Sequence, residues 1–411
     1  MSKSHKNING SRLKATFKVS SGIGATEGGG LTRLPLSKED KEMRDVFIGW
    51  LREAGLRVRI DDMGNIYGRR EGKNKNAGAV LIGSHLDTQP KGGKFDGILG
   101  VLSALEVIRT LNDHNVKTQR PIEIVNFTAE EGGRFGIPMA SSGVLAGKYT
   151  KDFIYSLKDE NGNTFGQSLE NIGYKGDVQN RLTNHNIHCF IETHIEQSPT
   201  LYRNEKSIGV VEGIEGVTNL KAIVEGQSSH SVFPSIDRRD ALLAASEMIV
   251  ALNDTKEQFD DLNPWTGIFE VFPSKPTITP GKVEFNFGVK HYEDGIRKKA
   301  IKYIKEQFHH IAEKRNVLVE IEDFWEMTST KFSDEIINLV EEGARHHGYS
   351  YQKILSPAGH DARYMNELVK TGMIFAPSVD GLSHCEEEFT SFEDIEKVTN
   401  VLLYVVESLA T

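Results

Sequence analysis

The spacing of apolar residues changes along this chain, and each change predicts an element. Over residues 41–54 they recur at helical intervals, and Ser37-Lys-Glu-Asp40 reads as the helix start. Residues 56–60 alternate as a strand, and the unbroken apolar run 79–82 predicts a buried one. Val101, Leu102, Leu105, Ile108 and Leu111 share one face of a helix over 100–111. Strands follow at 122–127 and 188–194. Strands alternating with helices predict an α/β sheet with parallel parts, and in such sheets sites collect at the carboxyl ends of strands.

The pattern then shifts. Strands are predicted at 208–214 and 220–224, a helix at 238–252 and a strand at 266–272. Val283, Phe285, Phe287 and Val289 alternate as a half-buried strand. A helix follows at 296–311, then alternation at Val317, Val319 and Ile321. This ββαββαβ succession predicts a ferredoxin-like α+β domain, an antiparallel sheet with two helices on one face. Beyond Trp325 the α/β character returns, with a helix at 332–344, a strand at 373–375 and a helix over 392–409 opened by Ser391. The expected fold class is therefore α/β with a mixed, largely parallel sheet, plus an inserted α+β domain. The expected boundaries are 1–209 and 327–411 for the discontinuous domain and 210–326 for the insert.

A length of 411 residues agrees with two domains. Lys+Arg 49 against Asp+Glu 58 leaves 49 − 58 = −9, which disfavours nucleic acid or an anionic membrane as the main partner. Two cysteines, Cys189 and Cys385, make no disulfide framework. The opening residues Met-Ser-Lys-Ser-His-Lys-Asn-Ile are charged without an apolar run, and no stretch of about 18 apolar residues exists to span a bilayer. The expectation is a cytoplasmic protein.

The candidate chemistry lies in Gly83-Ser-His-Leu-Asp-Thr-Gln-Pro-Lys-Gly-Gly-Lys-Phe-Asp-Gly97. A buried strand empties there into a glycine-rich turn carrying His85, Asp87 and Asp96. Glu130-Glu131, His194 and His384 follow, each expected just beyond a strand-like run. Carboxylate and imidazole donors without cysteine suit zinc, manganese, cobalt or nickel in a hydrolytic role. Adjacent carboxylates such as Glu130-Glu131 are costly to bury together unless a cation relieves them. One can then bind metal while the other acts as a general base. A solvated acidic loop is the plainer alternative. His309-His310 and His346-His347 are expected to be structural.

Five segments, in order, resemble the di-zinc aminoacylase/carboxypeptidase-like amidohydrolase family, and more narrowly its N-carbamoyl-L-amino-acid amidohydrolase and β-ureidopropionase branch. They are the 83–97 turn, Ala129-Glu-Glu-Gly-Gly-Arg-Phe135, His194-Ile-Glu-Gln197, Ala358-Gly-His-Asp361 and Asp380-Gly-Leu-Ser-His384. The resemblance implies two divalent ions, zinc by expectation. His85, Asp96 and His194 would hold one, Glu131 and His384 the other, with Asp96 bridging. It implies Glu130 as general base and Asp87 as the carboxylate that orients His85. Gln197 and His360 match substrate-side residues. His230 matches a histidine that reaches the partner subunit's site and stabilises the oxyanion, so a homodimer with moving inserted domains is implied.

The match weakens where the family grips its substrate. After His230 this chain reads Ser231-Val-Phe-Pro234, one residue shorter than the family pattern. The substrate-carboxylate arginine falls on Lys290, which cannot make the planar fork of Arg, and an asparagine falls on Thr277. The leading expectation is hydrolysis of an N-carbamoyl-L-amino acid. An allantoate-type ureido hydrolase, an N-acyl-amino-acid hydrolase, a dipeptidase, or a non-catalytic metal-binding protein are the alternatives.

Overall fold

The computed structural model describes residues 6–411; the opening stretch behind the expectation of no leader lies partly outside them. Two compact units divide the chain. One comprises residues up to Glu212 with Lys331–Thr411, the other Gly213–Thr330.

The strands of the first unit before the second are β1 (Arg57–Ile60), β2 (Ile66–Arg70), β3 (Ala79–His85), β4 (Ile122–Phe127), β5 (Ile187–Ile195) and β6 (Ile208–Ile214). The second unit carries β7 (Gly216–Glu225), β8 (Ser229–His230), β9 (Asn263–Phe272), β10 (Ile278–Thr279), β11 (Lys282–His291) and β12 (Leu318–Met327). Then come β13 (Thr330–Lys331), β14 (Tyr351–Ser356) and β15 (Lys370–Ala376).

The large sheet runs β1-β2-β4-β3-β5-β15-β6-β13, with β14 on β6. Its middle, β4-β3-β5-β15, is parallel. The pairs β1–β2, β2–β4 and β15–β6 are antiparallel. Every residue of β3 and β4 is buried, as expected for strands covered on both faces. The helix Ile98–Asp113 is apolar nearly all round and packs on β3, β4 and β5. Two helix starts hold as read: Ser37 accepts the amide of Asp40, and Ser391 that of Asp394.

The smaller sheet runs β12-β7-β11-β9, antiparallel throughout. The helices Ala241–Asp254 and Asp294–Arg315 close over one face. Leu220, Val224, Phe285, Phe287, Met248, Ile304 and Phe308 belong to the core between them.

Two readings are corrected. The strand at 208–214 does not open the smaller sheet; β6 pairs with β15 in the large one, which leaves a βαββαβ succession around β7, β9, β11 and β12. Its burial is nearly unbroken, whereas β7 alternates, so the difference of sheet follows the difference of pattern. His194 lies inside β5 rather than beyond it. The strands β2 and β14 and the helix Gly10–Ser20 had no prediction; β14 buries only two of its six residues and leaves little period to read.

Candidate metal centre

Four adjacent parallel strands deliver the donors to one edge of the large sheet. His85 ends β3, and His194 is the penultimate residue of β5. Glu130 and Glu131 follow β4 by three and four residues, and His384 comes after β15 through a 3-10 turn at Val379–Gly381. Parallel pairing points all four carboxyl ends the same way, so residues separated by nearly 300 positions meet.

Asp96 stands in the middle. Its Oδ1 lies 3.2 Å from His194 Nε2 and 3.7 Å from His85 Nε2. Its Oδ2 lies 3.3 Å from His384 Nε2, and the same nitrogen is 3.4 Å from Glu131 Oε2. One carboxylate thus faces two donor groups, His85 with His194 and Glu131 with His384, and each group with Asp96 could hold a metal ion. Glu130 Oε2 lies 3.7 Å from His85 Nε2, beside the first group.

The imidazoles are aimed by their other nitrogens. His85 Nδ1 donates to the main-chain carbonyl of Asp87 at 3.0 Å, and His194 Nδ1 to that of Ile195 at 3.0 Å. The Nε2 of each ring then faces Asp96, and that of His194 also meets the Gly97 amide at 3.0 Å. The expected contact between the Asp87 carboxylate and His85 is therefore replaced by a carbonyl contact. The Asp87 carboxylate instead accepts the amides of Glu130 at 3.4 Å and Glu131 at 3.2 Å. A buried acid at the foot of a turn is suited to collecting amides that have no strand partner.

The local backbone is tight. Gly97 has φ +67°, and a Cβ there would come within 2.3 Å of the His85 ring. Ala129, Gln197 and His384 also hold positive φ, at 58°, 59° and 56°. Such conformations cost non-glycine residues about 1–2 kcal/mol each and cluster at functional sites.

The charge pattern fits a cation. Asp87, Asp96, Glu130, Glu131 and Asp361 are all buried in one region. Burial first, then Asp361, Glu131 and Asp87, push the Glu130 carboxyl well up. Burial and then Asp96 do the same to Glu131. Asp87 is raised to about 7, by burial and then Asp40. Burial also opposes a charged Asp96, but the His194 and His384 imidazoles outweigh it and hold the group well below its usual range. Burial lowers His85 to about 4. It lowers His194 too, but Asp96 and Glu192 reverse that and lift the ring to about 9. This many carboxyl groups crowded away from water is the environment a dication relieves.

Gln197 sits on the second donor group. Its Nε2 donates to Asp96 Oδ2 at 2.9 Å and Ser383 Oγ at 3.1 Å. His360 packs edge-on against His194, ring centroids 4.4 Å apart, and its Nε2 meets Ser356 Oγ at 3.0 Å. Burial and then His194 hold His360 well below the ordinary imidazole range. Within the second unit, His230 lies in β8 opposite Ile278, and the Thr277 carbonyl accepts the amide of Ser231. Lys290, in β11, places its ammonium 5.5 Å from the centre of the Trp265 ring.

Several residues escaped the sequence reading. Glu388 accepts the amides of Phe95 and Asp96 and the Ser383 hydroxyl. Glu192, buried in β5, accepts the Ser84 hydroxyl at 2.6 Å and the Ala362 amide at 2.9 Å. Gln89 Nε2 donates to the Glu131 carbonyl at 2.8 Å and to its carboxylate at 3.0 Å. The run Glu386-Glu-Glu388 after His384 was the available signal for Glu388, but nothing local tells which of the three turns inward.

Known proteins resemble this chain over nearly its whole length. The model of peptidase family M20/M25/M40 matches residues 81–408. The chain is 36% identical to the N-carbamoyl-L-amino-acid amidohydrolase of Rhizobium meliloti, covering 98% of this chain and 97% of that one. It is 32% identical to the ureidoglycolate hydrolase of Oryza sativa subsp. japonica, over 92% of this chain and 80% of that one. Among solved structures it is similar to an amidase of the hydantoinase/carbamoylase family from Burkholderia multivorans. The TM-score is 0.95 at 39% identity, with 98% of each chain covered.

Proposed function

The chain belongs to peptidase family M20/M25/M40 and is a hydrolase of linear ureido or amide C–N bonds, and on that premise we propose that it cleaves an N-carbamoyl-L-amino acid. The products would be the amino acid, ammonia and carbon dioxide, with one water consumed. The observation that carries the reading is the two-faced Asp96, with His85 and His194 on one oxygen and His384 and Glu131 across the other. The similarity to carbamoyl-amino-acid hydrolases supports the substrate class.

His85, His194 and Asp96 Oδ1 would hold one divalent ion; Glu131, His384 and Asp96 Oδ2 would hold the other. When bound, such ions act as Lewis acids that acidify water and polarise a carbonyl. Zinc suits this mixed imidazole and carboxylate set, and manganese, cobalt and nickel are the alternatives to test. Glu130 takes the proton of the attacking water and returns it to the leaving nitrogen. Its Oε2 lies 3.7 Å from His85 Nε2, beside the first donor group. Asp87 fixes the Glu130 main chain through its carboxylate. Gln197 and His360 supply polar contacts to the substrate.

His230 would stabilise the oxyanion. The Val232 amide donates to its Nδ1 at 3.2 Å, so the neutral ring carries its proton on Nε2 and can donate. In the proposed homodimer that donor serves the partner subunit's site. The exposed side chains of Ile268, Phe272, Leu318 and Phe324 on the second unit support an association surface there. Lys290 and Thr277 would meet the distal end of the substrate.

A second reading is a ureidoglycolate- or allantoate-type hydrolase. The similarity to the ureidoglycolate hydrolase of Oryza sativa subsp. japonica supports it, while Lys290, Thr277 and the short Ser231-Val-Phe-Pro234 segment leave the substrate's distal group open. The deciding experiment is a panel of N-carbamoyl, N-formyl and N-acetyl amino acids with ureidoglycolate and allantoate, each run with Zn, Mn, Co and Ni. Turnover led by N-carbamoyl-L-amino acids is expected. Turnover confined to an acyl compound, or to ureidoglycolate or allantoate, refutes the first reading.

A further inference from the structure

We infer that Glu388 is a positioning residue that keeps the Ser383 hydroxyl proton off Asp96, and thereby sets the affinity of the Asp96–Glu131–His384 group for a divalent cation. The inference rests on the two-ion reading above.

Glu388 is 1% exposed. Its Oε1 accepts the amides of Phe95 at 3.1 Å and Asp96 at 3.2 Å. Its Oε2 accepts from Ser383 Oγ at 2.9 Å. Ser383 Oγ also lies 3.3 Å from Asp96 Oδ2, and it accepts from Gln197 Nε2 at 3.1 Å. A serine hydroxyl has one proton. Here two carboxylates compete for it, and the shorter contact belongs to Glu388.

The consequence falls on Asp96 Oδ2. A hydrogen bond and a cation draw on the same lone pairs of that oxygen, and a donated proton withdraws charge from it. Gln197 Nε2 already donates to Oδ2 at 2.9 Å; with the Ser383 hydroxyl turned to Glu388, Oδ2 keeps its remaining lone pair toward His384 and Glu131. Glu388 therefore does two jobs with two oxygens. One holds the Asp96 main chain, and the other points a second competing proton, beside that of Gln197, away from the Asp96 side chain.

Glu388→Gln separates these jobs. The carbonyl of Gln still accepts the two amides, so the 92–96 loop is held. Its NH2 now donates to Ser383, which leaves the hydroxyl proton no acceptor except Asp96 Oδ2. Support of this kind behind a metal ligand typically alters affinity about 10- to 100-fold.

The test titrates metal-stripped protein with Zn2+ and, separately, Mn2+ against a chromophoric chelator, resolving two binding steps. Glu388→Gln is expected to weaken the second step about 10- to 100-fold and to leave the first within about threefold. Adding Ser383→Ala to Glu388→Gln removes the offending proton and should recover most of the loss. Ser383→Ala alone should shift neither step more than about threefold, because the wild-type proton already points elsewhere.

Unchanged second-step affinity in Glu388→Gln overturns the inference. So does a double variant no better than Glu388→Gln, which would mark a purely structural role. If Glu388→Gln does not fold, Ser383→Ala alone decides. A tenfold or larger change in its second step would put the proton on Asp96 and refute the assignment. Wild-type protein that binds fewer than two ions defeats the two-ion reading itself, an outcome visible before any variant is made.

Discussion

The main-chain carbonyl of Asp87, not its carboxylate, accepts the Nδ1 proton of His85, at 3.0 Å. The carboxylate is thereby free to hold the amides of Glu130 and Glu131. One residue thus orients a proposed metal donor with its backbone and the proposed base with its side chain. Asp87→Asn should leave the carbonyl contact intact and weaken only the grip on Glu130 and Glu131. The expected result is kcat lower by about tenfold or more with the first metal-binding step little changed. A matching loss of first-step affinity would show that the carboxylate supports His85 after all.

Glu130→Gln preserves shape and removes the proton acceptor. The Glu130 Oε2 lies 3.7 Å from His85 Nε2. Turnover should fall by about 10²- to 10⁴-fold, the usual worth of a general base, while metal content stays at the wild-type level. Kinetics paired with metal analysis of the same sample checks both halves.

Gly97→Ala should be far worse than Gly136→Ala. Both positions have positive φ, +67° and +78°, so both bear the backbone cost of about 1–2 kcal/mol. Only at Gly97 does the added Cβ meet a neighbour, the His85 ring at 2.3 Å; at Gly136 nothing lies within 4 Å. Unfolding midpoints of the two variants isolate the clash. Metal affinity should fall in the Gly97 variant alone.

Removing metal should abolish turnover and lower the unfolding temperature. The carboxyl groups around Asp96 would be left to repel one another in a buried region. Restoring a divalent ion at a hundred times its Kd should return about 2.7 kcal/mol per site. Calorimetry of chelated and reloaded protein measures this. An unfolding temperature indifferent to metal would contradict the proposed centre.

Alkaline pH should loosen the first unit through its tyrosines. Burial and then Asp62 raise Tyr155 from 10.0 to about 12, and burial raises Tyr67 well above 10.0. A folded-state pKa above the unfolded one gives stability that is complete below pH 10 and is lost as pH climbs through the folded value. Stability should therefore decline between about pH 10 and 12. Tyrosinate absorbance should show four of the 11 tyrosines, Tyr67, Tyr155, Tyr174 and Tyr364, lagging behind the exposed ones. All tyrosines titrating together near pH 10 in folded protein would refute it.

Much of this was legible because it is local. The unbroken apolar run at the start of β3 could only be a buried strand, and the alternation of Val283, Phe285, Phe287 and Val289 only a half-buried one. Ser37 and Ser391 announced their helices because a cap needs no distant partner. Failures came where pattern was weak or shared. The unbroken burial of 208–214, against the alternation of β7, became visible only in the fold, and β14 is too exposed to show a period.

The sequence by itself determined the donor inventory: which imidazoles and carboxylates exist, and that they lie at or near the ends of buried strands. Side-chain chemistry and chain period are properties of neighbouring residues. Only the tertiary structure decided how the donors share Asp96, which part of Asp87 faces His85, and which of three consecutive glutamates turns inward to hold the Asp96 loop. Those relations are distances between strand ends and loops far apart in the chain. They exist only once the parallel strands align and the loops pack at their common edge.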